Sequence, residues 1–211
     1  MIKKTGYILG IFGIAALCML PNCLADTIFY DGMESQDLRY WSVSQSSPGV
    51  QDAYYLMYYH GHWGMRTYAS SSSASYACAD ADISGLDTDS YYEVELYVIL
   101  SGTNNHWLYV VHNGQINCVI DKFQTYTNNL TLRYGTPKVN HHIMTLTADT
   151  WYHLKFDVYP ASSDYDLYVN GNYKATGGFD DPVYDYLRIG DDETGTSNYG
   201  YMVVDDVGVY Q

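Results

Sequence analysis

Basic residues are scarce in this 211-residue chain, which has 10 lysines and arginines against 24 aspartates and glutamates and a formal net charge of −14. A surface with this balance repels phosphate backbones and anionic lipid headgroups. The composition therefore excludes nucleic acid as a natural partner. It is typical of a soluble protein that works outside the cell.

Cysteine is also rare, with 4 in the chain, and only Cys78 and Cys118 lie beyond residue 25. They are not part of a C-x-x-C pair, so a metal site built on cysteine is not expected. In an oxidising compartment we expect one disulfide between them, which would stabilise the fold by about 4 kcal/mol in the chain-entropy model. The alternative is two buried thiols, since the sequence does not place their Cα atoms within ~7 Å.

The chain has no apolar run long enough for a membrane span. Its most apolar segment, Tyr7–Leu20, is shorter than the ~20 residues that a transmembrane helix needs. Lys3 and Lys4 precede this segment and the small residue Ala25 follows it, which predicts a secretory signal peptide over residues 1–25.

A lipoprotein anchor is the weaker alternative for this leader. Neither Cys18 nor Cys23 has a small residue directly before it, as a lipidation site would be expected to have. We therefore expect residues 26–211 to form a single exported domain, extracellular or at the cell surface, with no membrane span after cleavage.

Helical periodicity is missing, and strand periodicity takes its place. The clearest stretch is Trp151–Ala175, where apolar residues alternate with polar ones before and after a break at Pro160. Asn170-Gly171 then supplies the two positive-φ residues of a type I′ turn, so two successive hairpins are predicted. Similar alternation over Tyr92–Leu100 predicts a long strand, and the whole pattern indicates an all-β sandwich.

Three segments resemble a known family. WYHLKFDVYPASSDYDLYVNGNYKA (Trp151–Ala175), YDGMES (Tyr30–Ser35) and YMVVDDVGVY (Tyr201–Tyr210) are similar to the signature segments of the concanavalin A-like lectin/glucanase superfamily in its laminin-G-like form. The resemblance implies a two-sheet antiparallel jelly-roll sandwich that spans residues 26–211. None of the three segments is catalytic, so the resemblance is more informative about the fold than about the function.

The same resemblance implies a structural calcium ion that joins the first and last strands. Its carboxylate ligands would be Glu34 and Asp205, with Asp31 and Asp206 as neighbours. Strand alternation predicts Asp205 on one side with the valines at 203 and 207, as an acid in a core-facing row. Such an acid requires a cation or hydrogen-bond donors, and the alternative is that these residues simply cap turns.

Tyrosine is abundant, with 25 in the chain. Tyrosine suits half-buried strands, but flat rings beside planar hydrogen-bonding groups also suit sugars. Two places combine both features, and their residues are the candidate glycan-binding set: Trp63, Arg66 and Tyr68 in one, and Asn105, Trp107 and Tyr109 in the other. The alternative for each tryptophan is packing in the core.

Catalytic patterns are largely missing. The sequence has no G-x-S-x-G elbow, no H-E-x-x-H helix and no P-loop. Glu93 and Glu95 share one face of a predicted strand and resemble the start of the E-x-D-x-x-E motif of laminarinase-type glucanases. However, Glu95 replaces the aspartate and Val98 stands where the last acid is needed, so a solvated strand face is the favoured interpretation.

Together these observations favour a secreted, non-catalytic, lectin-like module that binds a polysaccharide or the glycan of a glycoconjugate and is stabilised by calcium. A structural or adhesive protein that contacts cell-surface proteins is the first alternative. A glycan-cleaving enzyme, either a glycoside hydrolase or a polysaccharide lyase, is the second. Asn129 begins an N-x-T sequon that a glycosylating host could modify.

Overall fold

The computed structural model describes residues 25–46, 50–54, 56–69, 77–87, 89–100, 107–113, 116–122, 128–134, 139–178, 186–191 and 200–211. Fifteen strands lie in these ranges: β1 (Thr27–Asp31), β2 (Trp41–Gln45), β3 (Val50–Tyr54), β4 (Gly64–Ala69), β5 (Ala77–Asp82), β6 (Tyr92–Leu100), β7 (Trp107–Asn113), β8 (Ile116–Lys122), β9 (Asn128–Tyr134), β10 (Val139–Leu146), β11 (Tyr152–Tyr159), β12 (Asp164–Val169), β13 (Asn172–Gly178), β14 (Tyr186–Asp191) and β15 (Gly200–Tyr210).

The strands form two antiparallel sheets. The eight-stranded sheet has the order β13-β12-β11-β6-β15-β4-β3, and β1 also pairs with β15. The seven-stranded sheet has the order β10-β9-β8-β7-β14-β5-β2. This is the predicted two-sheet jelly-roll sandwich. Because β15 is eleven residues long, its beginning can pair with β4 while its end pairs with β1.

The two predicted hairpins are confirmed. A short 3-10 turn, Pro160–Ser162, joins β11 to β12, which pair from Leu154 opposite Val169 to Tyr159 opposite Asp164. Asn170 and Gly171 have φ values of 51° and 72°, the left-handed conformations that a type I′ turn requires between β12 and β13.

The core lies between the sheets and follows from the period-2 alternation of the strands. On β6 the side chains of the even-numbered residues from Tyr92 to Leu100 are buried, and on β11 Leu154, Phe156 and Val158 are buried opposite them. Each large apolar side chain that is fully buried stabilises the fold by roughly 1.5–3 kcal/mol. The odd-numbered residues of β6 from Glu93 to Tyr97 therefore point to the opposite side, which we call the outer face of the eight-stranded sheet.

One prediction about β15 needs correction. Asp205 does share a side with Val203, but that side is the outer face, because Asp205 lies opposite Tyr97. A bulge follows: the next paired residue is Gly208, opposite Glu95, and Asp206 has a φ of 48°. The extra residue reverses the alternation, so that Val207 points into the core while Asp205 does not.

The predicted disulfide is also wrong. Cys78 lies in β5 and Cys118 lies in β8, and β14 and β7 stand between these strands in the seven-stranded sheet. Three strand spacings amount to about 14 Å, whereas a disulfide needs Cα atoms within ~7 Å. The side chain of Cys78 is buried, and the side chain of Cys118 is outside the described residues.

The predicted signal peptide falls outside the described residues except for Ala25. Over the ranges that the structure describes, no helix is long and apolar enough to cross a membrane.

Candidate functional site

The outer face of the eight-stranded sheet carries a row of polar side chains across four strands. Glu93 on β6 lies opposite Asp157 on β11, Asp157 lies opposite Asp166 on β12, and Asp166 lies opposite Thr176 on β13. These four residues, which we call the polar row, span three strand spacings, about 14 Å. The Thr176 hydroxyl donates a hydrogen bond to Asp166 Oδ1 at 2.5 Å.

Two pairs of tyrosine rings flank the polar row. Tyr91 and Tyr159 lie at one side with ring centroids 5.4 Å apart. Tyr168 and Tyr173 lie at the other side, edge to face, with centroids 5.8 Å apart. Tyr91, Tyr159 and Tyr173 have exposed fractions of 42%, 37% and 55%. We call these residues the tyrosine pairs, and they give the outer face large aromatic surfaces that water can reach.

A compact hydrogen-bond network holds one end of the polar row. Lys155 Nζ lies 3.0 Å from Glu93 Oε2 and 3.1 Å from Asp157 Oδ1. The Tyr91 hydroxyl contacts Glu93 Oε1 and lies 3.0 Å from Asp157 Oδ1. All four groups are thereby fixed in position, which reduces the entropy that a ligand would lose on ordering them.

The pKa values of Tyr91 and Lys155 keep these two groups in their ordinary charge states. Burial, and then the hydrogen bonds to Glu93 and Asp157, raise the pKa of Tyr91 far above its usual value. Burial alone would lower the pKa of Lys155, but its bonds to the same two carboxylates outweigh burial and raise that pKa. Tyr91 therefore stays a hydrogen-bond donor and Lys155 stays charged, so neither residue is suited to act as a base.

Two rows from the polar row, beyond Glu95 and Lys155, the outer face is aromatic. Tyr97 on β6 stacks on His153 of β11 with ring centroids 4.7 Å apart, and Tyr59 also stacks on Tyr97, with centroids 3.7 Å apart and an interplanar angle of 13°. Trp151 meets Tyr59 edge to face at 5.7 Å. His153 Nε2 lies 3.5 Å from Glu95 Oε2. The outer face therefore carries this aromatic stack as well as the polar row.

Tyr59 reaches this stack because residues 56–63, the connection between β3 and β4, fold back over the outer face. Asp205 Oδ2 accepts hydrogen bonds from the backbone N–H groups of Tyr59 and His60 at 2.7 and 2.9 Å. Glu34 Oε1 accepts from the N–H groups of His62 and Trp63 at 2.7 and 3.0 Å. Two carboxylates from the two ends of the domain thus hold the connection in place.

Three of the four acids predicted to surround calcium, Asp31, Glu34 and Asp206, line one pocket, and Asp205 adjoins Asp206 on β15; we call these four residues the acid corner. Asp205 has no exposed surface, and burial raises its pKa to about 6 despite its three backbone hydrogen bonds. Asp206 accepts a hydrogen bond from the Tyr30 hydroxyl at 2.8 Å and contacts His60 Nδ1. A pocket of about 400 Å³ opens beside them, lined by Tyr30, Asp31, Gly32, Glu34, Ser35, Tyr40, His60, Gly61 and Asp206.

In this geometry the acids bind protein donors. Asp31 accepts from the N–H of Met33 and from Trp41 Nε1, so both of its oxygens are engaged. Asp205 also accepts from the N–H of Asp206. Within the described ranges, no group of three or more His, Cys, Asp or Glu side chains is arranged to hold a metal ion. A cation at the acid corner would need oxygens beyond those that the N–H donors occupy.

The first candidate glycan-binding group is split by the structure. Trp63 is partly buried and packs against the core, as its alternative interpretation predicted. Arg66 lies on the outer face of β4, where its Nε donates to Asp52 Oδ1 at 2.8 Å and its guanidinium sits 4.4 Å from the Tyr54 ring centroid. Tyr68, two residues further, is exposed on the same face.

The second candidate group belongs to the other sheet. The backbones of Trp107 and Tyr109 lie in β7 of the seven-stranded sheet. Asn105 and both of those side chains are outside the described residues. The structure therefore does not bring the two groups together on one sheet.

Sequence reasoning missed the tyrosine pairs. Tyr91, Glu93 and Glu95 are two residues apart along the chain, so the sequence predicts that they share a face. The partners of Tyr91 could not be predicted, because β11 lies beside β6 only through the strand order of the whole sheet. Which side chains meet across strands depends on that order and on the register.

No family model matches the sequence, and no curated protein gives a significant match. Solved structures do resemble the chain. A carbohydrate esterase from the Shiga toxin-encoding bacteriophage phi24B matches with a TM-score of 0.66 at 13% identity, over 88% of this chain and 98% of that chain. An endo-β-1,4-glucuronan lyase from Trichoderma reesei matches with a TM-score of 0.64 at 14% identity, over 88% and 96% of the two chains.

Domain 4 of AbnA, an extracellular arabinanase from Geobacillus stearothermophilus solved in complex with arabinotriose, matches with a TM-score of 0.60 at 15% identity, over 89% of this chain and 93% of that chain. Identities this low are informative about the fold alone. The chain is therefore an antiparallel jelly-roll sandwich with the fold of these three carbohydrate-active proteins.

Proposed function

We propose that this protein is a secreted, non-catalytic carbohydrate-binding module that binds its glycan along the polar row on the outer face of the eight-stranded sheet. The observation that carries the proposal is the placement of the tyrosine pairs on both sides of that row. Sugars combine apolar C–H faces with hydroxyl groups, so a site for them needs aromatic rings beside fixed polar groups.

The polar groups of the row suit hydroxyl ligands. Asp166 is partly exposed and presents a carboxylate that accepts hydrogen bonds, and the Thr176 hydroxyl, which donates to Asp166, can accept a further one. The Tyr173 hydroxyl lies 2.9 Å from Thr176 Oγ1, so that ring is itself oriented by the row. A row about 14 Å long matches an oligosaccharide better than a single sugar.

The structural comparisons support a glycan partner in general terms. The arabinanase domain was solved with an arabinotriose ligand, and the other two relatives are named as a carbohydrate esterase and a glucuronan lyase. The same fold thus accommodates binding and catalysis, and only the residues of the site can distinguish the two functions. We further propose that the chain is a laminin-G-like member of the concanavalin A-like superfamily.

The network around Lys155 favours binding over catalysis. Glu93 and Asp157 lie opposite each other, as an acid and a nucleophile would in a glycosidase. However, Lys155 bridges both carboxylates and Tyr91 contacts both. Donors of the protein thus already engage both carboxylates, at the positions where the acid and the nucleophile of a glycosidase would contact the sugar.

Calcium binding at the acid corner is a separate proposal. Its support is that Asp31, Glu34 and Asp206, from both ends of the domain, line one pocket, and that burial raises the pKa of Asp205 next to Asp206, a carboxylate that a nearby cation would stabilise. An ion there would tie β1 and β15 to the connection over residues 56–63. Export after cleavage at Ala25 is also proposed, and an intact mass of exported protein that retains residues 1–25 would contradict it.

The proposed function is tested by affinity electrophoresis of the folded protein in gels that contain polysaccharides, paired with a reducing-end assay on each polysaccharide. We expect retardation by at least one polysaccharide and no release of reducing ends. Retardation with release of reducing ends would establish the enzyme alternative. If no polysaccharide retards the protein, the adhesive alternative, with cell-surface proteins as partners, replaces the proposal.

A further inference from the structure

The outer face around the polar row is strongly acidic. Its carboxylates come from three neighbouring strands: Glu93, Glu95, Asp157, Asp164 and Asp166. The ammonium group among them is already engaged, since Lys155 bridges Glu93 and Asp157. Lys174 lies nearby, but on the edge strand β13. The face therefore keeps an excess of negative charge.

The tyrosine hydroxyls respond to this charge. Burial, and then the charges of Asp157 and Asp166, raise the pKa of Tyr159 above its usual value. The same three causes act in the same order on Tyr168. Two rings, one from each tyrosine pair, thus both lie in the negative potential of the polar row. A ligand stacked on these rings would lie in it too.

We infer that the glycan bound here carries no carboxylate, sulfate or phosphate groups, so that its sugar rings are neutral or bear amines. This inference rests on the proposed function and names the substrate class of the same site. Neutral hydroxyls can donate hydrogen bonds to the carboxylates of the row, as the Thr176 hydroxyl does to Asp166. A uronate would instead bring a like charge beside fixed carboxylates, with no unengaged cation on β6, β11 or β12 to offset it among the described residues.

The expected preference for neutral or amine-bearing glycans distinguishes this chain from one of its structural relatives. The glucuronan lyase is named for an anionic polymer, and it shares the fold with a TM-score of 0.64. The charge of the outer face, and not the fold, is what excludes polyuronate from this chain.

The test is affinity electrophoresis at low ionic strength against two sets of soluble probes. Arabinan, xylan, laminarin and glycol chitosan are the neutral or amine-bearing set, and polyglucuronate and alginate are the anionic set. We expect retardation by one or more of the first set and by neither polyuronate. Retardation by a polyuronate at least as strong as by the first set overturns the inference but leaves the proposed function intact. Retardation by no probe in either set overturns both.

Matched variants isolate the charge. Asp164→Asn/Asp166→Asn removes two charges from the face and keeps an acceptor oxygen at each position. At low salt polyglucuronate should retard this variant measurably although it does not retard wild type, and added salt should abolish the gain. Asp82→Asn, at the exposed last residue of β5 in the other sheet, removes the same kind of charge far from the row and should change nothing. Equal effects of the two changes would contradict the inference.

Discussion

Tyr173 is the most exposed ring of the tyrosine pairs, and it lies against Tyr168 at the far end of the polar row. If a sugar stacks there, Tyr173→Ala should weaken glycan binding by about 0.5–1.5 kcal/mol, roughly 2- to 12-fold in Kd. Isothermal titration calorimetry with the best polysaccharide from the screen measures the change.

Tyr40→Ala is the matched control for this change. Tyr40 is exposed to a similar degree, 57% against 55%, but lies beside the acid corner. Its removal should leave Kd unchanged, and both variants should melt close to wild type because neither ring is buried. Equal Kd values for Tyr173→Ala and wild type would remove this tyrosine from the site.

Asp205 should make stability depend on pH. Burial raises its pKa to about 6 in the folded protein, against ~3.9 in an unfolded chain. The folded state therefore holds the proton more tightly, so the favourable contribution is complete below about pH 4 and is lost as pH rises through about 6. The difference corresponds to about 3 kcal/mol.

Comparison with Asp205→Asn isolates this effect, because the asparagine keeps an acceptor oxygen and does not titrate. With a chelator present throughout, the free energy of unfolding of wild type should fall relative to the variant between pH 4 and pH 7. Denaturant melts across that range measure it. A constant difference between the two proteins at every pH would show that Asp205 does not titrate there.

At the scale of single elements, Gly190 on β14 has a backbone conformation and surroundings that leave no room for a side chain. Its φ is +119°, and a Cβ there would run into the backbone of Ala77 on β5. Gly190→Ala should therefore destabilise the protein by about 2–4 kcal/mol. Gly85→Ala is the matched control, because a Cβ at Gly85 meets nothing within 4 Å. Similar midpoints of urea unfolding for the two variants would contradict this account of the β5–β14 pairing.

Local pattern was enough to predict the hairpins of β11, β12 and β13, because alternation and an Asn-Gly turn are properties of neighbouring residues. It was not enough for β15. The valines around Asp205 alternate as in a regular strand, and nothing in their sequence predicts the bulge that places Val207 on the core side. A bulge depends on two strands together, here β15 and β6, and a single strand's pattern does not contain it.

In the candidate site, too, some features follow from local sequence and others depend on the fold of the whole chain. The four acids of the acid corner were found because they stand in segments that resemble a known family. The sequence did not predict that Asp205 and Glu34 accept hydrogen bonds from the N–H groups of residues 56–63. These bonds form only because that connection folds back over the sheet. The distance between Cys78 and Cys118 likewise depends on strand order, which spacing along the chain does not determine.

For the whole molecule, calcium would act by binding only the folded state. If an ion occupies the acid corner, chelation should lower the melting temperature, and Asp206→Asn should reduce the size of that shift. Asp166→Asn, which removes a charge from the outer face instead, should leave the shift unchanged. Identical melting curves with chelator and with excess calcium would remove the ion from the account.

The central claim is that this jelly-roll sandwich binds glycan on the outer face of its eight-stranded sheet. A crystal structure of the protein with an oligosaccharide of the polysaccharide that binds best tests it most directly. The account predicts sugar rings along the polar row, stacked on Tyr159 or Tyr173 and hydrogen-bonded to Asp166. An oligosaccharide seated on the seven-stranded sheet, for example on the turns beside β7, would contradict it.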